Sequence, residues 1–340
     1  MSVLAVLVAL LLEQARPSQM PERARGLYAR WLDLVARNVD AGLERHAVAV
    51  WLLAVVLPAA VVAGVARAVQ PVSLILEFAW HVGVLYLTLG FRPFSRHFTA
   101  IREALEQGDE ARARTLLAAW QGVDASELPR TELVRQVIEY AVLASHRHVF
   151  GVMFCYVVFA ALGLGPAGAV LYRLAHRALR HFGQRHPVDA EPLSPTVAVR
   201  AARLWQAVNF VPARLTATGF AIVGNFEEAV AAWRRDADLW ADRNDGIVLS
   251  AAAGAIGVQL GSTARAPAPT ASPGAASPLA AAELAVGPIG GAEERALGAP
   301  LGAGAAPQVG HLQSVVGLVW RSVVLWMLLL ALLSVANLIG

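Results

Sequence analysis

Between Asn209 and Ser262, apolar runs are interrupted at short intervals by Arg214, by Asn225 and Glu227, and by Asp242, Asn244 and Asp245. Ionisable groups held so tightly between apolar segments point to a site at a membrane boundary, because a charge near lipid is costly without a partner. Arg214 offers a planar fork of donors that suits a phosphate or a carboxylate. Asp242 and Asp245 suit a divalent ion shared with a phosphate, since Mg²⁺ commonly takes one or two carboxylates. The competing, purely structural reading pairs Arg214 with one of these acids and ties two helices together. A second polar pair, Glu77 and His81, stands at i and i+4 inside an apolar run and so shares one helix face. It reads either as a structural hydrogen-bonded pair or as a contact for a proton or substrate.

Other chemistry is missing. The chain has no GxxxxGK[ST] phosphate loop, no HExxH and no GxSxG. Cys155 is the single cysteine, which excludes an intrachain disulfide and a cysteine-based metal site. The nine histidines show no zinc-type spacing, so no metal ligands are assigned and no residue is assigned as catalytic. Mg²⁺ is expected only if a phosphate-handling reaction is retained.

The elements that must position these groups are membrane elements. Apolar residues make up 57% of the chain and charged ones 16%, against about 45–50% and about 25% in soluble domains. All 28 basic residues are arginine, which fits a GC-rich genome. They are spread along the loops and not clustered on one face, so nucleic acid is excluded as a partner and the lipid bilayer is expected.

Taken in order, residues 1–12 are apolar but too short for a spanning helix of about 20 residues, and Glu13 is placed to cap them. Residues 13–46 are amphipathic, with Leu27, Trp31, Leu34 and Val35 among arginines, as in a helix lying on a membrane surface. Residues 47–66 form a span interrupted only by Pro58 and Gly64, and residues 72–91 form a second. Residues 92–148 hold eight arginines and eight acids and read as a helical cap outside the membrane. Residues 149–172 are long enough to span, yet Gly163, Gly165, Pro166 and Gly168 interrupt them. A re-entrant hairpin folded there keeps the basic loops on one side, which the positive-inside rule makes cytoplasmic. Residues 173–203 read as an exposed connection, 263–307 as a disordered Ala/Pro/Gly linker, and 308–340 as a terminal anchor.

The segment Val211-Pro212-Ala213-Arg214-Leu215-Thr216-Ala217 resembles the V/I-P-A-R-L-T-A motif of the CobD/CbiB membrane family. Asn244-Asp245-Gly246, followed by Gly254 to Gly261, is similar to that family's S-P-N-A-G…A-G-A-L-G-V-x-L-G block. The resemblance covers most of residues 1–262. It implies a polytopic inner-membrane protein tied to cobalamin biosynthesis, whose biosynthetic members attach an aminopropanol-type arm to the corrin ring. The family's L-G-D-P…H-P-V block is absent from Leu11–Pro17, and its E-S-x-A-E-N-x-x-D-G segment survives only as Glu139. Leu10-Leu11-Leu12-Glu13 and the run from Gly165 to Arg173 are instead similar to AmpE, a relative described as a membrane sensor in β-lactamase induction.

The expectation from sequence is therefore an all-α, multi-pass protein of the bacterial inner membrane, on an AmpE-like branch of the family. It would be a non-catalytic ligand sensor or accessory protein for a corrinoid or cell-wall-derived small ligand. A synthase of the adenosylcobinamide-phosphate type and a purely structural membrane protein are the alternatives. Arg214, Asn225, Glu227, Asp242, Asn244, Asp245, Glu77 and His81 are the ligand-binding candidates.

Overall fold

Apolar runs free of turn chemistry become helices throughout. The computed structural model describes residues 2–15, 22–40, 42–89, 91–121, 125–183, 195–261 and 304–339, and no strand forms among them. The order is α1 (Ser2–Ala15), α2 (Glu22–Val39), α3 (Glu44–Trp51), α4 (Leu57–Val69), α5 (Leu74–Thr88), α6 (Phe91–Glu106), α7 (Glu110–Gln121) and α8 (Arg130–Ser145). It continues with α9 (Gly151–Ala161), α10 (Ala167–Gly183), α11 (Pro195–Val223), α12 (Phe226–Asp236), α13 (Arg243–Ile256) and α14 (Val309–Ile339). Two π-helical turns, Leu52–Val56 and His146–Phe150, join α3 to α4 and α8 to α9 without a break.

Three runs are long and apolar enough to cross a membrane: Glu44–Val69, Arg130–Ala161 and Val309–Ala336. Leu52, Leu53, Leu57 and Val61 on the first, and Leu328, Leu332 and Leu333 on the last, are exposed and form an apolar surface for lipid. The first span runs through Gly64, and its irregularity is the π turn just ahead of Pro58, a residue with no N–H to return to Ala54. The span expected over 72–91 is corrected. α5 has 15 residues, about 22 Å at about 1.5 Å each, short of the about 30 Å hydrocarbon core. Nor does a helix end at residue 148, because α8 passes through the second π turn into α9 as one 32-residue run.

The described residues divide into two compact units, one built from Met1–Phe91 and Arg147–Pro212, the other from Arg92–His146 with the chain from Ala213 onward. In the first unit, α9 and α10 fold back on each other through a turn with Gly163 and Gly165 at φ 71° and 57°, which is the break expected there. A Cβ on Gly168 would collide with the Cys155 carbonyl, so only glycine permits this approach of α10 to α9. α10 runs on to Gly183, burying Leu174, Ala175, Ala178, Leu179 and Phe182, which corrects the exposed connection expected from residue 173. Their helical spacing is legible but is masked by the arginines between them. Residues 184–194 and most of the expected linker lie outside the described residues. The last four linker residues are ordered: Ala305 pairs with Val258 in a parallel bridge. Glu13 lies buried within α1 and is not an exposed cap.

In the second unit, α12 and α13 pack through small residues. Gly254 meets the backbone of Glu228 and Ala229, and Gly246 meets the Ala237 carbonyl and Trp240. Ala217 of α11 joins Ala237, Ile247 and Ala251 in the core beneath. This packing fixes where α13 begins.

Candidate functional site

α13 starts where Asp242 turns out of helical geometry, at φ −105° and ψ 118°. Its Oδ1 accepts the backbone N–H groups of Asn244 at 2.8 Å and Asp245 at 3.1 Å. These are two of the donors a helix start leaves without an intrahelical acceptor. Asn244 is thereby buried in the first turn, and its Oδ1 accepts Arg214 Nη1 from α11 at 3.1 Å. Arg214 and Asn244 thus meet although they are 30 residues apart in sequence. Burial, then the neighbouring Arg243, lowers the Arg214 pKa from its ordinary value. Asp245 is half-buried beside Asn244. Arg214 therefore has an amide partner, Asn244, in the structure.

Three side chains outside the candidate set complete the setting. Thr216 is buried, and its Oγ1 lies 2.9 Å from Nδ1 of the fully buried His146, which anchors the α11 segment carrying Arg214. Glu139 of α8 is 1% exposed, and its Oε1 accepts the Gly261 N–H at 2.7 Å and Arg135 Nη1 at 3.3 Å. Arg135 also pairs with Glu132. Glu139 was visible as the surviving acid of a polar segment, and an acid inside an apolar run was the available signal.

The other candidates fall elsewhere. Asn225 is the N-cap of α12, accepting the Glu228 N–H at 3.3 Å, while its own N–H donates to the Ala255 carbonyl at 3.1 Å. Glu227 is exposed in the first turn of α12. Glu77 and His81 belong to the first unit, where His81 Nδ1 lies 2.9 Å from the Tyr156 hydroxyl and the rings meet edge to face. His81 thus has a structural partner other than Glu77. Among the described residues, no three His, Cys, Asp or Glu side chains cluster as metal ligands.

Residues 2–273 match the CobD/Cbib protein family, and Arg214 and Asn244 both fall within them. The chain belongs to the CobD/CbiB family. It is 31% identical over 335 residues, 96% of each chain, to the cobalamin biosynthesis protein CobD of Stutzerimonas stutzeri. It is 34% identical over 191 residues to the protein of the same name from Chromobacterium violaceum, covering 56% of this chain and 58% of that one. A CobD of Mycobacterium tuberculosis is 31% identical over 186 residues, 53% of this chain and 56% of its own. No solved structure matches. These CobD/CbiB relatives are named for cobalamin biosynthesis, which favours the synthase alternative over the AmpE-like, non-catalytic role expected from sequence. That expectation leaned on lost polar residues and on the AmpE-like runs at Leu10–Glu13 and Gly165–Arg173.

Proposed function

We propose that this protein is a membrane-bound synthase of cobalamin biosynthesis, of the adenosylcobinamide-phosphate synthase type, which joins an aminopropanol arm to a corrin carboxyl group. The observation that carries the reading is the Arg214–Asn244 hydrogen bond at 3.1 Å, which places a guanidinium at the start of α13. The arginine fork bears the positive charge, and the start of α13 adds the positive end of its helix dipole, with its first N–H groups already taken by Asp242. Making an amide from a carboxylate and an amine requires the carboxylate to be phosphorylated first by a nucleoside triphosphate. The amine then forms the C–N bond, loses a proton to solvent and expels phosphate, so negative charge builds on the acyl oxygen and on the departing phosphate. Donors fixed beforehand at that point stabilise the charge as it forms. Arg214 is given the binding of the carboxylate or a phosphate, Asn244 its orientation, and the His146–Thr216 contact the placing of α11.

Mg²⁺ fits this site only in company with a substrate phosphate. The carboxylates that would hold it beside that phosphate are Asp242, whose Oδ1 also accepts two backbone N–H groups, and Asp245. The proposed setting is the bacterial inner membrane, with the long arginine-rich loops on the cytoplasmic side.

The test is complementation of a host lacking its own synthase, scored as corrin-dependent growth on cobyric acid. Growth with the wild type, lost with Arg214→Ala present in the membrane at equal level, is the expected result. Failure of the wild type at normal membrane level would overturn the synthase reading and return the AmpE-like sensor to the front.

A further inference from the structure

The first unit holds a second polar constellation that this function does not use. Arg173, His176, Arg177 and Arg180 recur along α10 at i, i+3, i+4 and i+7, the spacing that places side chains on one helix face. His176 is buried although it lies on this stripe. The π turn His146–Phe150 adds Arg147 and His148, and π turns are frequent at functional sites.

Arg173 Nη1 lies 3.0 Å from His148 Nδ1. A guanidinium has no acceptor, so His148 accepts through Nδ1 and carries its proton on Nε2. The His148 and His176 rings meet edge to face at 6.4 Å, and His176 lies against Trp205 with ring centroids 5.0 Å apart. Nε2 of His176 and Nε of Arg173 are buried without a hydrogen-bond partner among the described residues. The charges bearing on His148 are Arg173, Arg147, Arg177 and Arg180, all positive. Burial and then Arg147, His148, Arg173 and Arg180 hold His176 well below the usual imidazole range, so it stays neutral near pH 7. Burial and Arg177 bring Arg173 down to about 10, with Tyr172 and Glu13 opposing the shift.

Several guanidinium forks beside imidazole N–H donors match a group with three acceptor oxygens and about two negative charges better than they match a carboxylate. Like charges gathered on one face also raise the local potential and draw an anion to it. We propose that Arg147, His148, Arg173, His176, Arg177 and Arg180 form a phosphate-binding site, separate from Arg214 and independent of the synthase reading. The phosphate belongs either to a soluble phosphate compound or to a phospholipid headgroup.

The test uses the full chain carrying Arg214→Ala, so that the other guanidinium makes no contribution, in phosphatidylcholine nanodiscs. Inorganic phosphate is titrated calorimetrically at constant ionic strength set with chloride. Each lost charged hydrogen bond should weaken binding about tenfold or more in Arg173→Gln and in Arg180→Gln, while Arg180→Lys retains most of it. Arg180 is exposed, so its variants keep the fold. The lipid arm replaces part of the phosphatidylcholine with phosphatidylglycerol and reads the melting temperature. A rise with phosphatidylglycerol that Arg180→Gln abolishes, without binding of free phosphate, assigns the site to a headgroup. Binding of neither probe, or binding that both glutamine variants leave at the wild-type level, overturns the proposal.

Discussion

Glu139→Ala probes the buried link between α8 and the end of the α13 segment. Glu139 is 1% exposed and serves two donors, the Gly261 N–H at 2.7 Å and Arg135 Nη1 at 3.3 Å. Truncation leaves the buried Gly261 amide without its acceptor, a cost of about 1–3 kcal/mol. It also takes one of two carboxylates from Arg135. Because Glu132 remains paired with Arg135, that part falls below the about 3–5 kcal/mol of a fully broken buried pair. The sum is about 3–4 kcal/mol, or a melting temperature lower by about 6–8 °C at about 2 °C per kcal/mol for a long chain. Glu139→Gln keeps an oxygen for Gly261 and loses only the charge, so its drop is about 2–4 °C at about 1–2 kcal/mol. The assay is thermal unfolding in detergent, read by a thiol-reactive dye at Cys155, which is buried and the only cysteine. An alanine variant that melts with the wild type would refute the reasoning. A glutamine variant as unstable as the alanine one would place the effect in the charge and not in the Gly261 contact.

Asp242→Ala removes the cap of α13 and should cost about 1 kcal/mol, with Asp242→Asn near wild type, both measured by the same melt. Gly168→Ala drives a Cβ into the Cys155 carbonyl and to 2.7 Å from the Phe159 ring, so little monodisperse protein is expected on gel filtration. Gly257→Ala meets open space but is held at φ 69°, so a loss of about 1–2 kcal/mol from backbone strain alone is expected in the melt. Cys155 should resist maleimide in the native protein and react fully only on unfolding, which mass spectrometry reads directly.

Helical class and membrane character were legible because an apolar run longer than about 20 residues has few other fates. Residues 47–66 and the terminal anchor were found this way. α5 was overestimated because Val72 and Ser73 look apolar enough in sequence, while the backbone at Ser73 is extended and holds the helix to Leu74–Thr88. Arg214 and Asn244 were picked out as polar residues against an apolar background, and the structure brings the two into contact. The roles of Asp242 and Asn225 as caps were equally readable from Asx chemistry at a helix start, but the metal and ligand readings drew attention away from it. Thr216 stood inside the motif from Val211 to Ala217, yet nothing local pointed to His146 as its partner. Their contact spans 70 residues, and neither type is unusual at its position. Glu139 was noticed only for its missing companions, since sequence could not show that it serves a backbone amide 122 residues away.

The π turn at Leu52–Val56 has a consequence for the length of the chain. A π turn closes its hydrogen bonds one residue later than an α turn, so it holds one residue that a regular helix would not need. Deleting any one of these five residues would restore the ordinary pitch ahead of Pro58. It would leave Glu44–Trp51 facing much as it does against Leu57–Val69, because the wide turn has already absorbed the surplus residue. Single-residue gaps in comparisons of related chains are therefore expected to gather at this turn, where the backbone can gain or lose a residue and still finish the span.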